Sequence, residues 1–180
     1  YWLGGSPPNK SEPASLETSL GPDPPFKIPA PKLSQVQNWT YQASGDFYKV
    51  AISADGNYIV GGSYDNSVYY FNKTNSTPLW SYDAQSDLES VAISANGSYV
   101  VAGSNGGKVF FFNRTGHLLW NYSAGGRVRG IDISADGKYC VSGSDSGYIY
   151  YYNKTPAVYK TPMWAYNEGS ILYSVAISAN

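Results

Sequence analysis

The chain has few of the residues that carry chemistry. Its 180 residues include one histidine, one cysteine and one methionine, and only 14% are charged, for a net charge of -1. A near-neutral, charge-poor chain has no electrostatic footprint for a polyanion, so neither DNA nor RNA is an expected partner. No apolar run approaches the roughly 18 residues that cross a bilayer. The start lacks the charged-then-apolar order of a signal segment. Numbering opens at Tyr1 rather than Met, so any targeting segment is expected to lie outside it. A lone His117 cannot assemble a metal cluster, and without an oriented partner it does no acid–base work.

What the chain does have is a repeated four-part phrase. It opens at Val50, Val91, Ile131 and Val175 and closes on Trp39, Trp80, Trp120 and Trp164, each series stepping by 41, 40 and 44 residues. A period near 40 with four short strand signals per unit predicts an all-β chain, a β-propeller of four-stranded antiparallel blades. The register predicts a lone outer strand over 38–43, blades over 49–83, 90–124 and 131–168, and the first strand of a further blade over 174–179. About three and a half blades are expected, with Trp39 closing a blade whose earlier strands lie outside the sequence.

Within the first blade, strand a is expected near Val50 to Ala54, b near Tyr58 to Ser63, c near Val68 to Asn72 and d near Leu79 to Asp83. Asp55-Gly56 and Tyr64-Asp65-Asn66 supply the tight turns, because Gly, Asn and Asp tolerate positive φ. Strand c is apolar at every position in all three copies: Val68-Tyr-Tyr-Phe71, Val109-Phe-Phe-Phe112 and Ile149-Tyr-Tyr-Tyr152. Both of its faces must therefore be buried, as in a sheet sandwiched between neighbours. Cys140 stands where the other copies have Ile59 and Val100, the place of a small core hydrophobe. Residues 1–37 hold eight of the eleven prolines and no apolar periodicity, which predicts an extended arm or linker, able to dock along a neighbour.

These residues resemble the WD40 and PQQ-like families of propeller repeats over about four-fifths of the chain. Ser-Ala-Asp-Gly followed by Gly-Ser-x-Asp-x-x-Val is similar to strands a to c of WD40 repeats. Asn113-Arg-Thr-Gly-His-Leu-Leu-Trp120 resembles the closing segment of PQQ-like repeats. Where WD40 repeats end strand c with Trp-Asp, this chain has Phe71-Asn72, Phe112-Asn113 and Tyr152-Asn153. PQQ-dependent dehydrogenases use a Ca²⁺ cage, a basic carboxylate and a quinone clamp, and no residues here match them, so no cofactor and no catalytic residue is expected. Ser53-Ala-Asp55-Gly56 is hairpin punctuation rather than a sialidase Asp-box, and Gly103-Ser-Asn-Gly-Gly107 lacks the Lys and helix of a phosphate loop.

The strongest remaining signal is Asn-x-Ser/Thr, at Asn9, Asn38, Asn72, Asn75, Asn96, Asn113, Asn121 and Asn153. Ser and Thr make up 31 of 180 residues, so random placement gives about two matches rather than eight. Three of them, Asn72, Asn113 and Asn153, are one repeat position copied, which an Asn turn after strand c also explains. In an up-and-down blade the a–b and c–d loops share one end of the disc. Asn72, Asn75, Asn96, Asn113 and Asn153 all fall there, with Asn38 and Asn121 at the rim. The opposite end carries no such motif and presents Asp46, Phe47, Tyr48, Lys49, Tyr64, Asp65, Asp87, Glu89, Arg127, Arg129, Glu168 and Tyr173. It is the expected contact surface, chiefly through Asp46, Tyr48, Lys49, Tyr64, Asp87, Glu89, Arg127, Arg129 and Tyr173.

The composition, with 18 tyrosines and 19 glycines, fits an outside location and resembles cell-surface propellers of archaea. The expected function is a non-catalytic, N-glycosylated extracellular scaffold, adhesin or appendage subunit. Its expected partners are other protein subunits or surface proteins and N-linked glycans, with possible self-assembly. The alternatives are a fragment of a quinone- or Ca²⁺-dependent propeller enzyme whose site lies in other blades, and an unglycosylated periplasmic assembly scaffold.

Overall fold

A computed structural model describes residues 39–155 and 161–179. The Pro-rich segment 1–37, and with it Asn9 and Asn38, lies outside them. Twelve strands form three four-stranded antiparallel sheets, each a meander in sequence order. Blade 1 comprises β1 (Phe47–Ile52), β2 (Tyr58–Ser63), β3 (Ser67–Asn72) and β4 (Trp80–Asp83). Blade 2 comprises β5 (Leu88–Ile93), β6 (Tyr99–Ser104), β7 (Lys108–Asn113) and β8 (Leu118–Ser123). Blade 3 comprises β9 (Val128–Ile133), β10 (Tyr139–Ser144), β11 (Tyr148–Asn153) and β12 (Trp164–Asn167). These are propeller blades, as the repeat predicts.

The first strand of each blade lies earlier than its hydrophobic pattern suggests. β1 runs Phe47–Ile52 rather than Val50 to Ala54, because Ser53 leaves the ladder to build the turn. Its buried hydroxyl donates to Asp55 Oδ1 at 2.6 Å and accepts from the Tyr58 N–H at 3.0 Å, while Gly56 takes φ +68°. Ser94 and Ser134 accept the same bond from Tyr99 and Tyr139. A small hydroxyl that closes a tight turn through its own side chain is a better turn former than strand former.

The third strand shows why it is apolar throughout. Val68 and Tyr70 of β3 pack with Val91, Val100, Phe110 and Phe112 of blade 2, while Tyr69 and Phe71 join Ala43 on the opposite face. Val109 and Phe111 of β7 instead face blade 3, among Ile131, Cys140, Tyr150 and Tyr152. Alternate side chains thus serve two different cores, and each fully buried large side chain contributes about 1.5–3 kcal/mol. Cys140 sits in the second of these cores, fully buried.

The blades are also bound edge to edge. The Ala95 N–H donates to the Ala135 carbonyl at 2.9 Å, and the Ala135 N–H to the Ala179 carbonyl at 3.0 Å. Residues 172–179 therefore lie along blade 3 in the place of a fourth innermost strand, further held where Ile177 N–H donates to Asp132 Oδ2 at 2.9 Å. On the far side Trp39 and Tyr41 pack on Phe71, with ring centres 5.5 and 5.1 Å apart, without forming a strand.

Candidate partner-binding face

The innermost strands share one irregularity. β1 pairs Phe47 with Ser63 and Lys49 with Gly62; β5 pairs Leu88 with Ser104 and Ser90 with Gly103; β9 pairs Val128 with Ser144 and Gly130 with Gly143. The unpaired residue is Tyr48, Glu89 and Arg129 in turn. A β-bulge re-aims one side chain and increases the local twist, and here it does so at the same level in three consecutive blades.

Two of the bulged side chains, Tyr48 and Arg129, meet b–c turns, and the third, Glu89, meets Arg127 in the d–a connection. Tyr48 stacks on Tyr64, centres 5.0 Å apart at 20°. Arg129 makes a two-pronged bond to Asp145, Nη2 to Oδ2 at 3.1 Å, and its guanidinium lies 5.2 Å over the ring of Tyr173. Such a fork-to-carboxylate bond fixes orientation as well as charge, and it raises the Arg129 pKa further. Arg127 donates to Asn105 Oδ1 at 2.8 Å and stands 3.7 Å from Glu89 and 4.0 Å from Asp145. The result is a linked row of alternating charges, Glu89, Arg127, Asp145 and Arg129, ending in aromatic rings at either side. Burial, followed by the Glu89 charge, pushes the Tyr64 hydroxyl pKa upward.

The expected contact residues divide on this geometry. Asp46, Tyr48, Lys49, Tyr64 and Tyr173 are exposed, and Asp87, Arg127 and Arg129 are half-buried. Glu89 is a correction: it is only 3% exposed, because its carboxylate turns to Arg127 at 3.7 Å rather than to solvent. Tyr48, Lys49, Glu89 and Arg129 are strand residues, not loop residues, because the strands extend to the bulge. Asn105 and Asp145 belong to the row and stand outside the expected set. Their signal was alignment with Tyr64 at the tip of the b–c turn.

The opposite end holds the a–b and c–d turns. Asn113 Oδ1 accepts from Thr115 N–H at 3.0 Å, Thr115 Oγ1 at 2.7 Å and His117 N–H at 3.0 Å. Asn72 accepts likewise from Thr74, at 3.0 and 2.8 Å. These Asn and Thr pairs therefore shape the hairpin, whatever else they carry. Gly116 follows with φ +82° against the Trp80 indole, where any Cβ would lie 2.7 Å from the ring, so only glycine fits. Asn75 and Asn96 are exposed in turns, Asn121 is exposed on β8, and Asn153 ends β11 half-buried. Among the described residues no group of three or more His, Cys, Asp and Glu lies close enough to hold a metal ion.

A comparison with curated protein sequences finds no match. Solved structures are similar in fold. The crystal structure of the RRP9 WD40 repeats matches with a TM-score of 0.67 at 12% identity, over 77% of this chain and 44% of that one. The structure of U3-55K matches with a TM-score of 0.68 at 12% identity over the same shares. The chain thus spans less than half the length of these structures. A PQQ-like repeat model described as outer membrane protein assembly factor BamB matches residues 36–142, more than half of the chain. The chain belongs to this family of PQQ-like β-propeller repeats.

Proposed function

We propose that the protein is a non-catalytic interaction scaffold acting outside the cytoplasm, which grips a protein partner through the bulged end of its blades. The observation that carries this reading is the segregation of the two ends. One end presents Arg127, Arg129 and Asp145 flanked by the exposed rings of Tyr48, Tyr64 and Tyr173. The other gathers Asn72, Asn75, Asn96, Asn113 and Asn153. Arg and Tyr are the side chains most enriched at the energetic centres of interfaces, while a glycosylated end would stay free of protein contact. In its fullest form the proposal is a cell-surface adhesin or appendage subunit carrying N-linked sugars, of the kind the sequence resembles in archaea.

The family supports a second reading, an unglycosylated periplasmic scaffold for assembling envelope proteins, using the same bulged face. An enzymatic reading is weaker. The carboxylates of the row, Glu89 and Asp145, are each committed to arginines, and these residues do not fit a Ca²⁺ cage with a quinone clamp.

Affinity capture from native extract with the wild-type chain and an Arg127→Glu/Arg129→Glu variant of unchanged circular dichroism tests the shared core of both scaffold readings. Loss of the captured partner is expected; capture of the same set by both proteins overturns the role of this face. The mass of the native protein before and after glycan removal separates the two, since the cell-surface reading requires a glycan increment and the periplasmic one requires none.

A further inference from the structure

Two places on the bulged end are built to one plan, and the chain itself fills only the first. At blade 3 the Arg129 guanidinium forks the Asp145 carboxylate and lies 5.2 Å over the Tyr173 ring. Carboxylate, guanidinium and ring form one set. Between blades 1 and 2 the carboxylate is Glu89 and the ring is Tyr64, itself stacked on Tyr48 with centres 5.0 Å apart. The strands bring them together: a Cβ at Gly62 would lie 2.9 Å from the Leu88 side chain, so β2 touches β5 two residues before Tyr64 and one before Glu89. Burial, and then the Glu89 charge, raise the Tyr64 pKa, as neighbours would.

This second place lacks a bonded guanidinium. Glu89 is 3% exposed, and among the described residues no donor stands within hydrogen-bond distance of its carboxylate. Arg127, 3.7 Å away, makes ion contact only; its Nε donates to Asn105 at 2.8 Å and its charge is shared with Asp145 at 4.0 Å. A carboxylate this buried is cut off from bulk water and carries a desolvation cost until donors reach it. The ring beside it is open, since Tyr64 is 40% exposed. Beyond the charged row, the described turns of this end hold Asp46, Asp65, Asp83, Asp87 and Glu168 against Lys49 and Lys108. That surplus of negative charge draws cations toward the face.

We propose that an arginine of the protein partner completes the second set, its guanidinium laid over the outer face of Tyr64 and its N–H groups donated to the Glu89 carboxylate. The inference rests on the bulged end being the partner face and names the side chain which that face selects. Three properties single out arginine. Its planar fork matches a carboxylate that has no hydrogen bond. A guanidinium stacks on an aromatic face, where its charge is further attracted. It is also more weakly hydrated than an ammonium, so it gives up less water on entering a nearly dry socket. A lysine would bring the charge without the fork or the stacking plane.

The test titrates the full chain with N-acetyl-argininamide, N-acetyl-lysinamide and N-acetyl-citrullinamide, the last being planar but uncharged, and follows backbone amide shifts by nuclear magnetic resonance. Saturable shifts centred on Tyr64 and Glu89 are expected with the arginine probe, with binding about tenfold weaker for the other two. Glu89→Gln keeps the shape of the side chain and should weaken the arginine probe about tenfold. Tyr64→Leu should weaken it about two- to fivefold. Absence of saturable shifts at this end overturns the proposal. So does equal affinity for the arginine and citrulline probes, or for wild type and Glu89→Gln. Capture from native extract separates this failure from failure of the face. A partner lost by Arg127→Glu/Arg129→Glu but kept by Glu89→Gln leaves the partner face standing and removes the arginine socket from it; a partner kept by both variants removes the face as well.

Discussion

Blade 2 and the blades flanking it are built from the same phrase, and they differ in what lies beside them. Val91 in β5 is 7% exposed, while Val50, the same residue at the same repeat position in β1, is 66% exposed. β7 is buried along its central four residues, and β12 is exposed along its whole length. Local sequence therefore sets strand identity and register, whereas the neighbour decides which side chains become core. In a repeat architecture much of the stability resides in the interfaces between units, so energetic importance should follow position in the stack rather than residue type.

The largest expected effect breaks that comparison most directly. Phe111 is fully buried between blades 2 and 3, and Phe111→Ala should cost about 3–5 kcal/mol. Val50→Ala removes an apolar side chain from a repeat position that is core in blade 2, yet should change stability by less than about 0.5 kcal/mol. Urea unfolding of the two variants reads both; equal losses would mean that Val50 is covered in solution.

A smaller effect comes from a polar group in the same core. The Tyr70 hydroxyl donates to the Gly97 carbonyl at 2.6 Å, across the boundary between blades 1 and 2. Tyr70→Phe keeps the ring and strands the carbonyl, at a cost of about 1–2 kcal/mol. The same burial pushes the Tyr70 pKa up to about 12, and that of Tyr150 to about 12, from the ordinary tyrosine value of 10.0. A raised folded-state pKa stabilises fully below the unfolded value and is lost as pH rises through the folded one. Stability should therefore fall between about pH 10 and 12, with these tyrosines ionising during unfolding in ultraviolet difference spectra. Ionisation before unfolding would show that the interblade cores open locally.

Much of this was legible in the chain because the repeat aligns four tryptophans and four strand openings, and because three all-apolar third strands can only be sandwiched. The turns were legible through Asp55-Gly56 and its copies. The bulge was not. Tyr48, Glu89 and Arg129 are extra residues at the same place in every copy, so the period is unchanged and no spacing anomaly marks them. Glu89 looked like a surface charge for the same reason, since nothing in a sequence distinguishes a bulge residue turned toward Arg127 from one turned to water. The Asn-(Lys/Arg)-Thr turn is legible in two ways, since one tripeptide satisfies a sugar-acceptor pattern and a hairpin requirement together. The bonds from Thr74 and Thr115 to their asparagines show how the hairpin role is carried out.

On the acid side the effect should be smaller. Asp136 is held at about 2 by the Lys138 backbone N–H and the Ser134 hydroxyl, and Asp55 is lowered by the Ser53 hydroxyl and the Asn57 N–H. A depressed folded-state pKa contributes stability above the unfolded value that is lost as pH falls through the folded one. The window is about pH 4 down to 2, and because both carboxylates face water the loss is shallow. Ser134→Ala should flatten this limb; an unaltered acid limb in that variant would remove the turn hydroxyl from the explanation.

The finest comparison sets two residues of the c–d turns against each other. Arg114 and Lys73 occupy the same repeat position, and each carbonyl accepts from a tryptophan of the preceding segment. Substitution by alanine leaves both carbonyls in place and removes only the cation. For Arg114 that means losing the contact with the Tyr58 ring and the bond to Ser98, a cost of about 0.5–1 kcal/mol for an exposed cation–ring pair. Lys73 has no ring beneath it among the described residues, so Lys73→Ala should be neutral within the error of a thermal melt. A double-mutant cycle between Arg114→Ala and Tyr58→Leu isolates the pair from the packing each side chain also provides. A coupling energy indistinguishable from zero would reduce this contact between blades 1 and 2 to its tryptophan–carbonyl bond.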